Sequence, residues 1–273
     1  MRLPGGLWHE GRLHREFAFR PLTGAVELTL AEASLEAPSM PEVVTRTLTS
    51  ALQHLKHQEA TPALIDALSV GDRQFLVQQL AGWLEMDATW MTAVCTRCRE
   101  PFDFMIRFSE LPVKAAGAGY PFAWVATSRG SACWRVPTGA DQKAVAAVAA
   151  EQDAVRVLMT RCLVEISDHD AGSTAQWVAE LPDDDRQQVE ASLEAVAPEI
   201  TTAVQVSCPA CSQNSQVTID PYLCLQRRQE AISADIHTIA STYHWSEAEI
   251  LALPKKRRRL YLQLIDRARG MRS

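Results

Sequence analysis

Several features that define common protein classes are missing from this sequence of 273 residues. No apolar run approaches the roughly 18 residues that a membrane-spanning helix needs, and no apolar stretch of a signal peptide follows the opening residues 1–6. Positive charge is not in excess either, because 33 acidic residues outweigh 27 lysines and arginines and the net charge is −6. We therefore expect a cytoplasmic protein that contacts no membrane and does not bind nucleic acid over its whole surface.

Motifs of the common catalytic sites are also missing. The sequence contains no Gly-x-x-x-x-Gly-Lys-Ser/Thr phosphate loop, no Gly-x-Gly-x-x-Gly after a strand, no His-Glu-x-x-His and no Gly-x-Ser-x-Gly. The chain is nevertheless 47% hydrophobic, which suffices for a real core. We expect a folded protein that is not an enzyme and has no small-molecule substrate.

The sequence does contain an internal repeat. An Asp-Arg-Gln triplet, a cysteine and a second cysteine three residues later all recur at one constant offset. The pairs are Asp72-Arg73-Gln74 with Asp185-Arg186-Gln187, Cys95 with Cys208, and Cys98 with Cys211. An Arg-x-x-Thr-Gly segment recurs at a slightly larger offset, at residues 20–24 and 135–139. A constant offset indicates duplication, and we predict two tandem copies related by pseudo-twofold symmetry.

Each copy is expected to have the same α+β order of elements. A short strand, residues 13–20 or 132–136, leads into the Thr-Gly turn. Helices follow and are predicted over residues 43–55 and 72–84 in the first copy, and over 141–150, 155–164 and 183–197 in the second. A strand, a Cys-x-x-Cys turn and another strand then form a zinc-knuckle hairpin. The first repeat is assigned to residues 1–125, the second to 126–220 and a helical C-terminal extension to 221–273.

The paired cysteines are the main candidate site. A structural Zn²⁺ prefers four ligands in a tetrahedron, and one Cys-x-x-Cys turn supplies only two thiolates. Because both pairs keep the repeat offset, we predict one structural zinc per chain, shared between the copies and bound by Cys95, Cys98, Cys208 and Cys211. A thioredoxin-like dithiol and two pairs of free thiols are the alternatives.

Other residues that could ligate a metal have simpler explanations. His54 and His57 lie on a predicted helix whose neighbours are polar, so a solvated face is favoured. The Asp168-His169-Asp170 triplet is expected to be a polar loop. The remaining cysteines lie within apolar patterns and are expected to be buried thiols; they are Cys133, Cys162 and Cys224.

The C-terminal extension lies outside the repeat and is predicted to bind a partner. A helix is expected over residues 222–243, and Ser246 with Glu249 has the spacing of a capping box for a short helix that follows. A last helix then begins with five cations. A solvated helical face or a patch for an acidic protein is favoured over DNA contact, and we expect these cations and a nearby tryptophan to bind a protein partner; the residues are Trp245, Lys255, Lys256, Arg257, Arg258 and Arg259.

With these residues in place, the chain resembles the baseplate hub assembly proteins of contractile-tailed phages and of phage-tail-like contractile injection systems. The resemblance rests on Leu-Pro-Gly-Gly near the start, on the first Arg-x-x-Thr-Gly segment, on both cysteine pairs and on a C-terminal signature. These segments are residues 3–6, 11–15, 20–24, 95–98, 208–211 and 245–254. One departure is that Arg99, rather than a glycine, follows the first knuckle.

The resemblance implies a non-enzymatic assembly factor or minor component of the baseplate hub, with hub or spike subunits as partners and with retention in the particle left open. Two other classes also stay open. A zinc-ribbon nucleic-acid adaptor would use residues 255–259 as phosphate contacts. A dithiol redox protein would cycle the paired cysteines without a metal.

Overall fold

A computed structural model describes residues 1–35, 37–167, 173–225 and 229–270, so the Asp168-His169-Asp170 triplet lies outside the described residues. The structure is a mixture of helices and antiparallel sheets, which confirms the α+β prediction. The elements of the first half are β1 (Arg2–His9), β2 (Arg12–Phe19), α1 (Gly24–Leu35), α2 (Met40–Ala51), β3 (Leu52–Leu55), β4 (Gln58–Glu59), α3 (Pro62–Asp66), α4 (Val70–Trp83), β5 (Ala88–Val94), β6 (Pro101–Arg107) and β7 (Val113–Lys114).

The second half has a similar order of elements, but its described residues contain no counterpart of the fourth strand, and its extra short strand precedes the last hairpin instead of following it. Its elements are β8 (Phe122–Thr127), β9 (Gly130–Arg135), α5 (Gly139–Ala146), α6 (Glu151–Cys162), β10 (Leu163–Ile166), α7 (Thr174–Ala179), α8 (Asp183–Val196), β11 (Glu199–Ile200), β12 (Ala203–Ser207) and β13 (Asn214–Thr218). The sheet order also corresponds, being β1-β2-β3-β4 in the first half and β8-β9-β10 in the second. Superposition of the two halves as copies of one unit stays a prediction.

The Asp-Arg-Gln triplets begin α4 and α8, and their aspartates attach these helices to the strands of the same half. The Asp72 carboxylate accepts the backbone amides of Gly5 and Gly6 at 2.8 and 2.9 Å. The Asp185 carboxylate accepts the amide of Ser128, in the turn between β8 and β9, at 3.1 Å. Negative charge near the N-terminal end of a helix is also stabilised by the helix dipole. The repeated triplet is therefore a structural joint within each half.

The predicted helices over residues 43–55 and 155–164 end early. Helix α2 ends at Ala51, and the chain continues as β3, where Leu55 pairs with Phe17 of β2. Helix α6 ends at Cys162 and β10 follows. The prediction that His54 and His57 share a helix face is therefore wrong: His54 lies in β3, and His57 lies in a turn at φ 61°. Strand pairing outweighs the local helical pattern here.

The core is unevenly divided between the halves. Its largest cluster contains residues from α2, α3 and α4 and extends to Ile200, Ile219, Cys224 and Leu225. A smaller cluster in the second half is built around Trp134 and Trp177. The predicted helix over residues 222–243 is wrong at its start, because Leu223–Leu225 form a 3₁₀ turn that packs into the large cluster. Cys133, Cys162 and Cys224 are buried as predicted.

The C-terminal helices have a small core of their own. They are α9 (Gln229–Tyr243), α10 (Glu247–Ala252) and α11 (Lys255–Gly270). Their buried centre consists of Ile239, Ile250 and Ile265. The predicted capping box is confirmed, since Ser246 Oγ accepts the Glu249 amide at 3.3 Å and the Glu249 carboxylate accepts the Ser246 amide at 2.8 Å. This small core packs on α1 of the first half through α9 and α10.

Candidate metal centre

The structure brings together the four cysteines that the repeat offset singled out. Their sulfur atoms all lie within 4.8 Å of one another. The Sγ atoms of Cys95 and Cys211 are 3.6 Å apart, and those of Cys98 and Cys208 are 3.7 Å apart. Both of these close pairs join one half of the chain to the other. Among the residues that the structure describes, no other group of three or more cysteine, histidine or acidic side chains has this geometry.

The spacing of the sulfurs fits a tetrahedral zinc site. Four sulfurs at about 2.3 Å from a central ion lie about 3.8 Å from one another, close to the separations across the halves. All four cysteines are free thiols rather than disulfides. The donor set is therefore consistent with a soft metal ion of tetrahedral preference.

Both knuckles have the same backbone geometry despite their different sequences. The residue after the second cysteine adopts the left-handed conformation in each, with φ 64° at Arg99 and 57° at Ser212. Backbone hydrogen bonds close both turns. The Arg99 amide donates to the Cys95 carbonyl at 3.1 Å, and the Ser212 amide donates to the Cys208 carbonyl at 2.9 Å. The missing glycine after Cys98 therefore does not change the turn, although a side chain in this region is less favoured than glycine.

The local hydrogen bonds act differently on the thiols of the first knuckle. The backbone amides of Cys98 and Arg97 lower the pKa of Cys95 to about 6 because they stabilise its thiolate. The Glu100 amide acts to lower the pKa of Cys98, but burial and the neighbouring sulfurs outweigh it and raise that pKa to about 12. One thiol is thus readily ionised, and four thiolates at this spacing would need a cation between them.

Two hairpins carry the cysteines and meet tip to tip. The strands β5 and β6 hold the first knuckle, and β12 and β13 hold the second. Cys95 and Cys208 are buried beside Phe102 in a small cluster of its own. Away from the tip, the halves also join where β7 pairs with β11, with Val113 opposite Ile200. The cysteine cluster is one of several contacts between the halves.

The predicted partner-binding cations of α11 have unequal surroundings. Arg258 is buried, with only 2% of its side chain exposed, and it pairs with Glu27 of α1 and with Asp235 of α9. The Lys255 ammonium is also largely covered, donates to the Leu84 carbonyl at 2.5 Å and lies 3.6 Å from Glu27. The prediction that all five cations face a partner is therefore wrong for Arg258 and Lys255, which join α11 to the first half.

The other predicted contact residues lie nearer the surface. Lys256, Arg257 and Arg259 are exposed, and Arg259 forms an ion pair with Glu85. Trp245 is partly buried, stacks on Tyr243 with ring centroids 5.3 Å apart and meets the edge of Tyr261. The acidic partners of Arg258 were not anticipated, because nothing in the cation run marks which of its members points inward.

The fold and this cluster define an α+β protein whose two halves meet at four cysteines. A family model described as T4 bacteriophage base plate protein matches residues 9–222, which is more than half of the chain. The chain therefore belongs to the T4 bacteriophage base plate protein family. No curated protein and no solved structure matches it. Across the described residues, no helix is both long and apolar enough to cross a membrane.

Proposed function

We propose that this protein is a non-enzymatic assembly factor or minor component of the baseplate hub in a contractile tail or injection system, with one structural zinc bound by Cys95, Cys98, Cys208 and Cys211. Membership of the base plate family is the observation that carries the proposal. The resemblance of the cysteine pairs and the C-terminal signature to hub assembly proteins supports the finer role. Its partners would be hub or spike subunits.

The zinc would hold the halves together rather than perform chemistry. Each half supplies two sulfurs, so loss of the metal would release a contact at the hairpin tips while the pairing of β7 with β11 remains. The closest sulfur contacts cross between the halves, whereas a dithiol redox cycle would use the two cysteines of one knuckle. This arrangement favours a metal over the redox alternative.

The exposed part of the cation run is a candidate contact for an acidic partner. Lys256 and Arg257 reach the surface on α11, while Trp245 offers a partly exposed aromatic face nearby in the same helical group. Salt-sensitive binding to nonspecific DNA would favour the nucleic-acid adaptor instead. Replacing Lys256 and Arg257 by glutamine separates these possibilities, because each predicts loss of a different partner.

Co-expression with hub and spike subunits of the same tail system tests the proposed role. We expect the tagged protein to purify with a hub or spike subunit, and particles assembled without it to lack function. Western blotting of mature particles then distinguishes a transient factor from a retained component. Normal, functional particles in its absence would overturn the proposal.

A further inference from the structure

A pattern of two helices joined by a short turn occurs three times in the part of the chain that the structure describes. In each, a Thr or Ser is followed by an aliphatic residue four positions later, Leu at seven, Ser or Pro at eight and Arg at twelve. We name these the first, second and third docking segments. They comprise residues 61–73, which include α3 and the start of α4, residues 174–186, which include α7 and the start of α8, and residues 246–258, which include α10 and the start of α11.

The first docking segment holds the Thr-Gly turn between β9 and α5. The Gly139 amide donates to the Leu68 carbonyl at 3.0 Å, and the Val70 amide donates to the Pro137 carbonyl at 3.1 Å. These two bonds form an antiparallel bridge between Ser69 and Thr138. The helix that begins at the glycine, α5, then packs against α2, α3 and α4.

The third docking segment holds the other Thr-Gly turn, between β2 and α1, in the same way. The Gly24 amide donates to the Leu253 carbonyl at 3.2 Å, and the Lys255 amide donates to the Leu22 carbonyl at 3.1 Å. Thr23 and Pro254 form the corresponding bridge. Helix α1 then packs against α9 and α10. The C-terminal extension thus repeats, on the first half, the joint that the first half makes with the second.

An arginine lies under the glycine at both joints. A Cβ atom on Gly139 would overlap the guanidinium of Arg73, and one on Gly24 would come within 2.9 Å of the guanidinium of Arg258. The side chains of these arginines are 0% and 2% exposed. Only glycine lets the start of a helix approach the guanidinium this closely, so the Thr-Gly dipeptide and the arginine are complementary parts of one contact.

The second docking segment follows the same residue pattern, but among the described residues no Thr-Gly turn lies on it. Its arginine, Arg186, remains 38% exposed, and with the residues that the structure describes it pairs only locally, with Asp183 at 3.1 Å and with the Ala179 carbonyl at 3.3 Å. Within the described part of the chain, no residue forms the corresponding pair of bonds to the Leu181 carbonyl and the Asp183 amide. Both Thr-Gly dipeptides of the sequence are held by the other two segments.

An apolar groove lies beside Arg186, between α6 and α8. Its volume is about 370 Å³, and its walls include Trp134, Leu158, Met159, Val189 and Leu193. In the first half, the corresponding face of α2 and α4 is covered by residues 222–225, where Cys224 contacts the Val77 carbonyl through its sulfur at 3.6 Å. The face of the second half thus retains apolar surface that its counterpart has covered.

We propose that the second docking segment binds a partner protein through a Thr-Gly turn between a strand and a helix, with the glycine over Arg186 and the start of the helix beside the groove. The occupant is a partner built from the same strand, Thr-Gly and helix unit. A second copy of this chain does not supply one readily, because its two Thr-Gly turns are buried in its own joints. The proposal rests on the proposed function only in taking that partner from the baseplate.

A peptide probe tests the docking chemistry without any other baseplate protein. The probe is residues 130–150 of this chain, labelled with fluorescein and titrated into the full-length, zinc-loaded protein while its anisotropy is recorded. We expect saturable binding that weakens about tenfold or more in the variant Arg186→Ala, because the guanidinium on which the glycine would pack is lost. The matched control is Arg156→Ala, which removes another surface arginine paired with an aspartate three residues before it and should leave binding unchanged.

A substitution at the glycine of the probe peptide provides a second test of the docking geometry. A peptide carrying Gly139→Val should fail to bind, since its side chain would meet the guanidinium. No binding of the unmodified peptide up to about 1 mM, or equal binding by wild type and Arg186→Ala, would overturn the docking proposal. Failure to purify with hub subunits while the peptide binds as expected would instead count against the proposed function.

Discussion

Arg258 and Arg259 are adjacent in the cation run, and the structure predicts very different consequences for replacing them by alanine. Arg258 is 2% exposed and pairs with Glu27, whose side chain is only 9% exposed. Arg259 is 53% exposed and pairs with Glu85 at the surface. Arg258→Ala would leave the Glu27 carboxylate buried without its main partner, whereas Arg259→Ala would leave Glu85 in contact with water.

The two losses can be estimated from this difference in burial. Removing one partner of a buried ion pair costs about 3–5 kcal/mol in free energy of unfolding. Lys255 stays 3.6 Å from Glu27, so we expect the lower end of that range, about 3 kcal/mol. An exposed pair contributes about 0–1 kcal/mol, and Arg259→Ala should fall within it.

Hydrogen exchange can measure the loss of local stability in both variants. Because α9, α10 and α11 share a separate small core, local opening of this group reports the joint directly. Arg258→Ala should accelerate exchange of α10 and α11 amides by about a hundredfold, which corresponds to about 3 kcal/mol, and Arg259→Ala by less than about fivefold.

Equal effects of the two variants would refute the assignment of Arg258 to a buried joint. The double variant Glu27→Gln with Arg258→Met provides a further check, since replacing both charges by groups of similar size should recover much of the lost stability. If the double variant is no more stable than Arg258→Ala, the cost comes from packing rather than from the unpaired carboxylate.

Three further predictions concern the metal, the joint between the halves and acid stability. Cys208→Ser should reduce the zinc content from about one per chain to near zero and speed hydrogen exchange in β5 and β6, whereas unchanged exchange there would contradict a shared site. Gly139→Ala should lower the free energy of unfolding by about 1–3 kcal/mol, because the new methyl group meets Arg73. Gly82 lies on α4 with open space around it, so Gly82→Ala should raise the free energy of unfolding by about 0.5–1 kcal/mol. Urea titration measures both changes. Burial acts to raise the pKa of Asp141, but hydrogen bonds from Arg135 and Thr138 outweigh it and hold that pKa at about 2, below the ordinary value of 3.8. The contribution of ionised Asp141 to the free energy of unfolding is therefore present above about pH 4 and is lost as the pH falls towards 2. Asp141→Asn should make stability decline less steeply over that range. An unchanged slope would exclude this carboxylate as the source of the decline.

Much of the candidate metal centre could be predicted from the sequence. The constant offset between the cysteine pairs indicated one shared cluster, and their sulfurs lie together in the structure. The spacing of Ser246 and Glu249 correctly predicted a capping box. The cap could be predicted because a helix start depends on residues within four positions of each other. The cluster could be predicted because each knuckle supplies only two of the four ligands that zinc prefers, so the two pairs complete one set.

Other features could not be predicted because distant strands decide them. The pattern of residues 43–55 favours one helix, yet pairing of Leu55 with Phe17 turns the last four residues of that range into β3. Likewise residues 222–225 follow the second knuckle in sequence but pack into the core of the first half. A local pattern contains no information on which partner strand or apolar face is within reach.

The sequence by itself determined which four cysteines cluster, the capping box of α10 and the α+β class. Only the tertiary structure decided which of the five adjacent cations is buried, and which of the three docking segments has its arginine exposed. The three docking segments, which end at Arg73, Arg186 and Arg258, share one local pattern. A Thr-Gly turn from elsewhere in the chain covers the first and the third arginine. The difference is one of burial, and burial depends on contacts between segments far apart in the chain.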